Sequence, residues 1–116
     1  MKLSANFYRF EFECKCGKCD YDTVDKELID VLQHLREHFG RSININSGNR
    51  CPEYNKSVGG ADASYHIRGR AADIDVKDVT PQEVQHYVLS KYKDKYGIGC
   101  YNSFTHIDTR SRKARW

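Results

Sequence analysis

The residues best able to do chemistry are two histidines and one aspartate in the second half of the chain. His66 and Asp73 lie seven positions apart in one segment, and His106 comes from a later segment. Two imidazoles and one carboxylate are a ligand set that catalytic zinc uses, with a fourth position left open for water. If the three side chains converge, the protein is a metallohydrolase.

Zinc held by these three ligands would supply two kinds of chemistry. It lowers the pKa of water from about 15.7 toward 7, and it polarises a carbonyl group. Each residue alone is more simply explained as an ordinary polar side chain. Their joint arrangement, with a glycine and alanines between His66 and Asp73, favours the metal site.

The strand that carries Asp73 is predicted from alternation. Over residues 71–77 the apolar side chains take every second position, at Ala72, Ile74 and Val76. Successive side chains of a strand point to opposite faces, so Asp73 and Asp75 share the other face. We therefore expect Asp73 to project from a sheet, where a neighbouring strand can supply its partner.

Two further strands are predicted near the C-terminus, over about residues 97–101 and 104–109. Phe104, His106 and Asp108 lie on one face of the second of these strands. His106 can then face Asp73 across the sheet. His66, at the end of a loop, can supply the third ligand. Strands suit a metal site because they fix the direction of each ligand.

The first predicted helix starts near Thr23 and ends at Gly40. Its apolar residues recur at three- and four-residue steps, and charged residues fill the other side. His34 and His38 lie one turn apart on this helix, which is a spacing that can clamp a metal. No acidic or thiol partner is suggested for them, so we expect solvated surface residues.

A second helix starts at Thr80, which can cap it, with Pro81 at the first helical position and Glu83 placed for a capping box. A strand is predicted over residues 42–47, and residues 48–65 form a long loop. A loop of this length in a small domain is usually functional or disordered, and this one leads directly to the first ligand histidine. The element order predicts an α+β domain with a small, mainly antiparallel sheet packed by two main helices.

Length and charge limit the classes of protein that fit. A chain of 116 residues makes a single domain over residues 1–116. Its net charge of +3 is too slight to indicate nucleic acid. The basic residues 110–115 are compatible with an anionic polymer such as a bacterial wall, but a solvated terminus is the simpler interpretation. No apolar run approaches membrane-spanning length and the first residues lack a signal peptide, so we expect a monomer made in the cytoplasm without membrane insertion.

Five cysteines exclude a complete disulfide framework within one chain, because the number is odd. Cys14, Cys16 and Cys19 form a cluster that could supply three thiolates to a structural zinc, with Cys51 or Cys100 as the fourth ligand. The spacing is not the paired C-x-x-C repeat of a zinc ribbon. Reduced thiols packed in a turn are therefore the preferred interpretation.

Together these motifs resemble the zinc D-alanyl-D-alanine peptidases, which include D,D-carboxypeptidases, the dipeptidases of vancomycin resistance and wall endopeptidases with a hedgehog-like fold. The specific parts are the S-x-H-x-x-G-x-A-x-D string over residues 64–73 and the H-x-D triplet at residues 106–108. The resemblance covers most of the chain, because further matching segments lie at residues 12–17, 47–55, 58–61, 97–99 and 114–116.

The resemblance implies that His66, Asp73 and His106 are the zinc ligands. It also implies that Arg50, in a Ser-Gly-x-Arg motif, stabilises the developing oxyanion or holds a substrate carboxylate. The planar fork of a guanidinium suits either task. Ser64 would face the substrate backbone or brace the site, although a turn-forming serine explains this residue nearly as well.

Two carboxylates are candidates for the general base. Many relatives have Glu or Asp three positions before the last histidine, where this chain has Ser103. Asp108 shares a strand face with that histidine, and Asp75 shares one with the ligand aspartate. Either can take a proton or hydrogen-bond a ligand histidine, and we rank Asp108 first. The family's frequent tyrosine before the arginine is Asn49 here, so the substrate pocket departs from the family pattern at this position.

The resulting prediction is a zinc-dependent metallopeptidase that hydrolyses peptidoglycan stem peptides with zinc-activated water, either as a D-Ala-D-Ala carboxypeptidase or as an endopeptidase. Small size, no signal peptide and an odd cysteine count fit a phage- or prophage-encoded endolysin that acts on the cell wall. The same features fit a bacterial enzyme domain cut from a longer chain. One alternative is a catalytically silent, zinc-containing module that binds the wall or a protein, which Ser103 favours. Another is a zinc protein that uses Cys14, Cys16 and Cys19 to contact a partner.

Overall fold

A five-stranded sheet with helices packed against it organises the part of the chain that the structure, a computed structural model, describes: residues 2–16, 24–60 and 64–116. A 3₁₀ helix (Arg9–Phe12) comes first. The α-helices are α1 (Lys26–Phe39), α2 (Pro52–Ser57) and α3 (Pro81–Lys91). The strands are β1 (Ile43–Ser47), β2 (Ala71–Val76), β3 (Gly97–Cys100), β4 (Thr105–Asp108) and β5 (Ala114–Arg115).

The strand order in the sheet is β1-β2-β4-β3-β5. The pairs β1–β2, β2–β4 and β3–β4 are antiparallel, and β5 alone runs parallel to its neighbour β3. This architecture confirms the predicted α+β class with a mainly antiparallel sheet, and it is compatible with a hedgehog-like peptidase fold. The register places Asp73 of β2 directly opposite His106 of β4.

Helix α1 has the predicted amphipathic character, with start and stop signals at both ends. The side chain of Asp25 accepts a hydrogen bond from the backbone N–H of Glu27, which caps the first turn. Gly40 ends the helix with a φ of 62°, a left-handed conformation that glycine adopts without strain. The first helical residue is Lys26, and Thr23, where the helix was predicted to start, lies outside the described residues.

Helix α3 starts as predicted, because the hydroxyl of Thr80 accepts a hydrogen bond from the backbone N–H of Glu83. Its half-buried Tyr87 packs against α1 rather than against the sheet alone. Tyr87 lies 2.6 Å from His34 Nε2 and stacks on the His38 ring with centroids 3.6 Å apart. His38 is exposed as predicted, whereas His34 is half-buried and takes part in helix packing.

The two faces of the sheet have different tasks. One face carries aliphatic side chains, among them Ile74, Ile98 and Ile107. They form a single core with helix residues that include Leu32 and Leu35 of α1 and Val88 of α3. The alternate positions of β2 and β4 carry Asp73, His106 and Asp108. Because side chains alternate along a strand, the strands that point their aliphatic residues into the core point these polar residues to the opposite face.

Three elements were not predicted, the first being the 3₁₀ helix Arg9–Phe12. Helix α2 lies within the segment that was predicted to be a loop, and strand β5 extends the sheet edge near the C-terminus. The prediction of a solvated basic tail is wrong for Arg115, whose guanidinium donates hydrogen bonds to the backbone carbonyls of Tyr92, Lys95, Tyr96 and Ala114. The charge is held there by carbonyl oxygens at the end of α3 and in the segment that follows it.

In the part of the chain that the structure describes, every helix is too short or too polar to cross a bilayer.

Substitution of a core residue on α1 should cost more than substitution on the opposite face of the same helix. Leu32 is 0% exposed, so Leu32→Ala should lower the free energy of unfolding by about 2–5 kcal/mol. The control is Lys26→Ala, which removes a solvent-exposed ion pair with Asp30 and should change it by less than about 0.5 kcal/mol. Urea denaturation followed by circular dichroism measures both values, and equal values would contradict the burial of this face of α1 in the core.

Candidate metal centre

His66 lies in the turn that precedes β2, and its ring is anchored from behind. Its Nδ1 donates a hydrogen bond to the backbone carbonyl of Gly48 at 2.6 Å, since a carbonyl oxygen can only accept. The other ring nitrogen, Nε2, lies 3.3 Å from Asp73 Oδ1. At 2% exposed, the imidazole is held in one orientation toward the aspartate.

His106 reaches the same carboxylate oxygen from the neighbouring strand. Its Nδ1 lies 2.9 Å from Asp73 Oδ1, and its Nε2 lies 2.7 Å from Asp108 Oδ2. The two imidazole rings meet edge to face, with centroids 5.2 Å apart. Each of the two histidines therefore directs one nitrogen at the same carboxylate oxygen, Asp73 Oδ1.

The donor atoms of His66, Asp73 and His106 all lie within 4.8 Å of one another, and all three residues are buried. Two imidazole nitrogens and one carboxylate oxygen suit zinc, which takes three protein ligands and one open position in catalytic sites. The Gly48 carbonyl and the Asp108 carboxylate hold the far side of each ring, as outer partners of metal-ligating histidines do. The residues present thus fit a zinc ion.

The charges of the site are strongly coupled. Burial acts to raise the pKa of the Asp73 carboxyl, but hydrogen bonds from His106 and His66 outweigh it and hold this pKa well below its usual range. Burial acts to lower the pKa of His106, but hydrogen bonds to Asp108 and Asp73 raise it. Asp73 is therefore ionised at neutral pH. A cation that binds His106 through Nδ1 must displace a proton.

Asp108 is fully buried behind His106, and its carboxylate is enclosed by donors. Arg110 binds it in a bidentate manner, with Nε 2.7 Å from Oδ1 and Nη2 2.7 Å from Oδ2. Although burial acts to raise the pKa of Asp108, the hydrogen bonds from Arg110 and His106 hold it well below its usual range. Asp108 was predicted either to accept a proton or to hydrogen-bond a ligand histidine. These contacts fit the second role, in which Asp108 orients the His106 ring, and the first role stays a prediction.

Arg110 is a site residue that the sequence analysis missed, because it was assigned to a solvated basic tail. That assignment is wrong, since its guanidinium also lies over the rings of Tyr65 and Trp116, at 4.5 and 5.1 Å from their centroids. The available signal was its position two residues after Asp108, just beyond a strand end. A buried carboxylate needs a cation partner, and the next basic residue along the chain is the nearest source.

Arg50 approaches the second oxygen of the ligand aspartate. Its Nη2 lies 3.3 Å from Asp73 Oδ2, its Nε donates to Ser47 Oγ at 3.2 Å and its Nη1 to Asn55 Oδ1 at 3.3 Å. The short helix α2 provides Asn55, so this unpredicted element helps to position the guanidinium. Arg50 thereby joins the three candidate metal ligands, as the motif resemblance implied.

The other predicted positions lie further from the centre. The Ser64 hydroxyl accepts a hydrogen bond from the His66 backbone N–H at 3.1 Å, so it braces the turn. Ser103 is exposed in the turn between β3 and β4, and Asp75 is half-buried beside Asn44 of β1. Asn49 is 1% exposed and is not among the described residues that line the cleft.

A cleft of about 590 Å³ opens over the three candidate ligands. Arg50 lies on one side, and aromatic rings contribute much of the remaining wall: Tyr65, Tyr101, Phe104 and Trp116. Tyr101 and Phe104 stack with centroids 4.3 Å apart. Among the described residues that line this cleft, Asp73 is the one acidic side chain.

An α+β fold with two histidines and one aspartate converging under an open cleft defines the class of candidate metallohydrolases. Residues 5–108 match the model of the Peptidase M15 family, and the chain belongs to this family. The family predicted from the motifs is thereby confirmed.

Two curated relatives are peptidoglycan L,D-endopeptidase MepK of Escherichia coli (strain K12) and MepK of Shigella flexneri. Each is 30% identical to this chain over 96 residues, which cover 75% of this chain and 52% of the relative. The chain therefore spans about half the length of the curated relatives it matches.

Removal of the charge behind His106 should weaken zinc binding without removal of a ligand. Asp108→Asn keeps the side-chain shape but loses the carboxylate that orients the ring, so zinc affinity should fall about 10–100-fold. Competition with a chromophoric chelator measures this affinity. The matched control is Asp75→Asn, on the strand that carries Asp73 but outside the cluster, which should leave affinity unchanged. An equal loss in both variants would show that Asp108 has no special role.

Proposed function

We propose that this protein is a zinc-dependent peptidase that hydrolyses peptide bonds of bacterial peptidoglycan. The observation that carries the proposal is the convergence of His66, Asp73 and His106 on one point beneath an open cleft, in a chain of the Peptidase M15 family. A substrate of this class places the site of action at the cell wall. The names of the relatives favour an endopeptidase that cuts within the wall peptide over a carboxypeptidase that removes a terminal D-Ala.

The residues of the chain divide the work between holding the metal and holding the peptide. His66, Asp73 and His106 would hold zinc, which when bound supplies a Lewis acid that polarises a peptide carbonyl and makes water more acidic. The Gly48 carbonyl keeps the His66 ring in the tautomer that presents Nε2. Asp108 keeps the His106 ring in place. All three proposed ligands line the cleft.

Arg50 is placed to stabilise negative charge during hydrolysis. It lines the cleft and lies beside Asp73, and its hydrogen bonds to Ser47 and Asn55 fix the guanidinium before substrate arrives. A preorganised cation of this kind stabilises the oxyanion that forms at an attacked carbonyl, or binds a substrate carboxylate. Ser64 acts by bracing the turn that carries His66.

Metal removal should abolish hydrolysis of wall peptides in a reversible manner. The purified protein is incubated with defined stem peptides and cross-linked muropeptides, and the products are identified by liquid chromatography and mass spectrometry. We expect cleavage at one type of bond, loss of cleavage after treatment with a chelator, and recovery when zinc is added back. Cleavage that continues in the metal-free protein would refute the proposal, and the product masses show which bond is cut.

Neutralisation of Arg50 should lower turnover more than it lowers zinc content. Arg50→Gln removes the charge beside the reacting carbonyl, and kcat should fall about 10²–10³-fold. The matched control is Arg41→Gln, because Arg41 is an exposed arginine whose ion pair with Asp78 lies at the surface. This control should keep the kcat of the unmodified protein. Steady-state kinetics with zinc content measured on the same samples provide the test, and equal kcat in both variants would exclude Arg50 from the reaction.

One observation favours a second candidate function, a catalytically silent zinc-containing module that binds the wall. Among the described residues of the cleft, no acidic side chain other than Asp73 is present to take a proton, and Ser103 occupies an exposed turn. Sedimentation with purified peptidoglycan tests this alternative. Zinc-loaded protein that binds the polymer through Arg50 and releases no product would establish the binding module in place of the peptidase.

A further inference from the structure

Three cysteine side chains meet beside the segment that carries Arg50, outside the candidate metal centre. The sulfur atoms of Cys14, Cys16 and Cys51 all lie within 4.8 Å of one another. Cys14 is buried and the other two are half-buried. Two of the three come from a segment before α1, and the third is separated from them by α1 and β1. Thirty-seven positions separate Cys14 from Cys51, so the chain has folded to bring these thiols together.

The sulfur separation fits a shared metal better than a disulfide. Cys14 Sγ and Cys51 Sγ lie 3.7 Å apart. A tetrahedral zinc ion with Zn–S bonds of about 2.3 Å holds two ligand sulfurs about 3.8 Å apart. A disulfide would require about 2.05 Å. The observed separation fits two thiolates on the same ion, and it also equals the contact distance of two thiols.

A backbone donor orients one sulfur of this cluster. The backbone N–H of Cys51 donates a hydrogen bond to Cys14 Sγ at 3.3 Å. Outer hydrogen bonds of this kind orient metal ligands. An entry path also exists, because Cys16 and Cys51 line a surface pocket of about 730 Å³.

We propose that Cys14, Cys16 and Cys51 bind a structural zinc ion, in addition to the ion proposed for His66, Asp73 and His106. Three thiolates select zinc over harder cations such as magnesium or calcium. In the sequence Cys19 follows Cys16 at C-x-x-C spacing, but it lies outside the described residues. Cys100, predicted as a possible fourth ligand, is exposed on β3 and is not part of the cluster. Reduced thiols packed in a turn, the interpretation preferred from the sequence, stay the alternative that the experiment below decides.

The position of the cluster gives the ion a task. Cys51 directly follows Arg50 in the chain. The residue before Arg50 is Asn49, whose backbone N–H donates a hydrogen bond to the carbonyl of Phe12 at 2.8 Å. A side-chain carbon at Gly48 would lie only 2.8 Å from the Cα of Phe12, so the two segments are in close contact. Zinc would join the N-terminal segment to the segment that carries Arg50 and the carbonyl that anchors His66.

The N-terminal segment has little other regular structure to hold it. Among residues 2–16 the regular elements are the 3₁₀ helix Arg9–Phe12 and one isolated bridge between Lys2 and Tyr8. Phe7 and Phe12 are buried in the core, but no strand of the sheet includes this segment. A structural zinc site supplies folding free energy directly, which is how short segments of this kind are commonly held in place.

Cobalt substitution tests the thiolate site independently of any hydrolytic activity. The full chain, kept reduced, is freed of metal and reconstituted with Co²⁺, and the absorption spectrum is recorded. Sulfur ligands give an intense near-ultraviolet charge-transfer band that histidine and carboxylate ligands do not give. We expect this band in the unmodified protein and in Cys100→Ser, which serves as the control for loss of a thiol. Cys16→Ser and Cys51→Ser should weaken or abolish it.

Zinc analysis of the same samples gives the stoichiometry. We expect two zinc ions per chain in the unmodified protein and in Cys100→Ser, and one in Cys51→Ser. A single zinc with no charge-transfer band in the reduced unmodified protein would overturn the proposal, and so would iron in place of zinc or a Cys14–Cys51 disulfide found by mass spectrometry. Because these overturning results are measured on the unmodified protein, poor folding of a variant does not obscure them. An inactive protein with two zinc ions would refute the peptidase and leave this site standing.

Discussion

The buried carboxylate of Asp73 is the charge around which the site is arranged. An unpaired carboxylate at this depth would cost several kcal/mol, so its position in the middle of a sheet requires partners. His66 and His106 contact one of its oxygens, and Arg50 contacts the other. These partners come from the turn before β2, from β4 and from the segment after β1. The demand of a single charge thus connects three separate parts of the chain.

Each partner of this carboxylate is held in turn from its far side. The Gly48 carbonyl holds His66, Asp108 holds His106, and Arg110 neutralises Asp108. Since every one of these contacts is buried or half-buried, a ring or guanidinium that moved would leave a polar group without a partner. The outer contacts therefore preserve the direction of the ligands, which matters more for metal binding than their mere proximity.

Much of this arrangement was predictable, because it rests on local periodicity. Alternation placed Asp73 and His106 on strands, and capping residues located the start of α3 and the end of α1. Helix α2 had a usable signal in Pro52, since proline favours the first turn of a helix. Strand β5 is only two residues long and carries no periodic pattern. The contact between Arg110 and Asp108 spans two residues, so its signal was local, but the basic run around it favoured a solvated tail. The approach of Cys51 to Cys14 spans 37 positions, so spacing along the chain could only suggest it.

The register between β2 and β4 also bears on the order in which the molecule assembles. Asp73 and His106 are 33 positions apart, and α3 and β3 lie between them. Closing a loop of this size costs chain entropy before favourable contacts form. Pairing of β2 with β4 is therefore slower than formation of the local β3–β4 hairpin. A chain still emerging from the ribosome has no complete ligand set until β4 has been synthesised. If the proposed zinc binds, its capture would therefore come late, after β2 and β4 have paired.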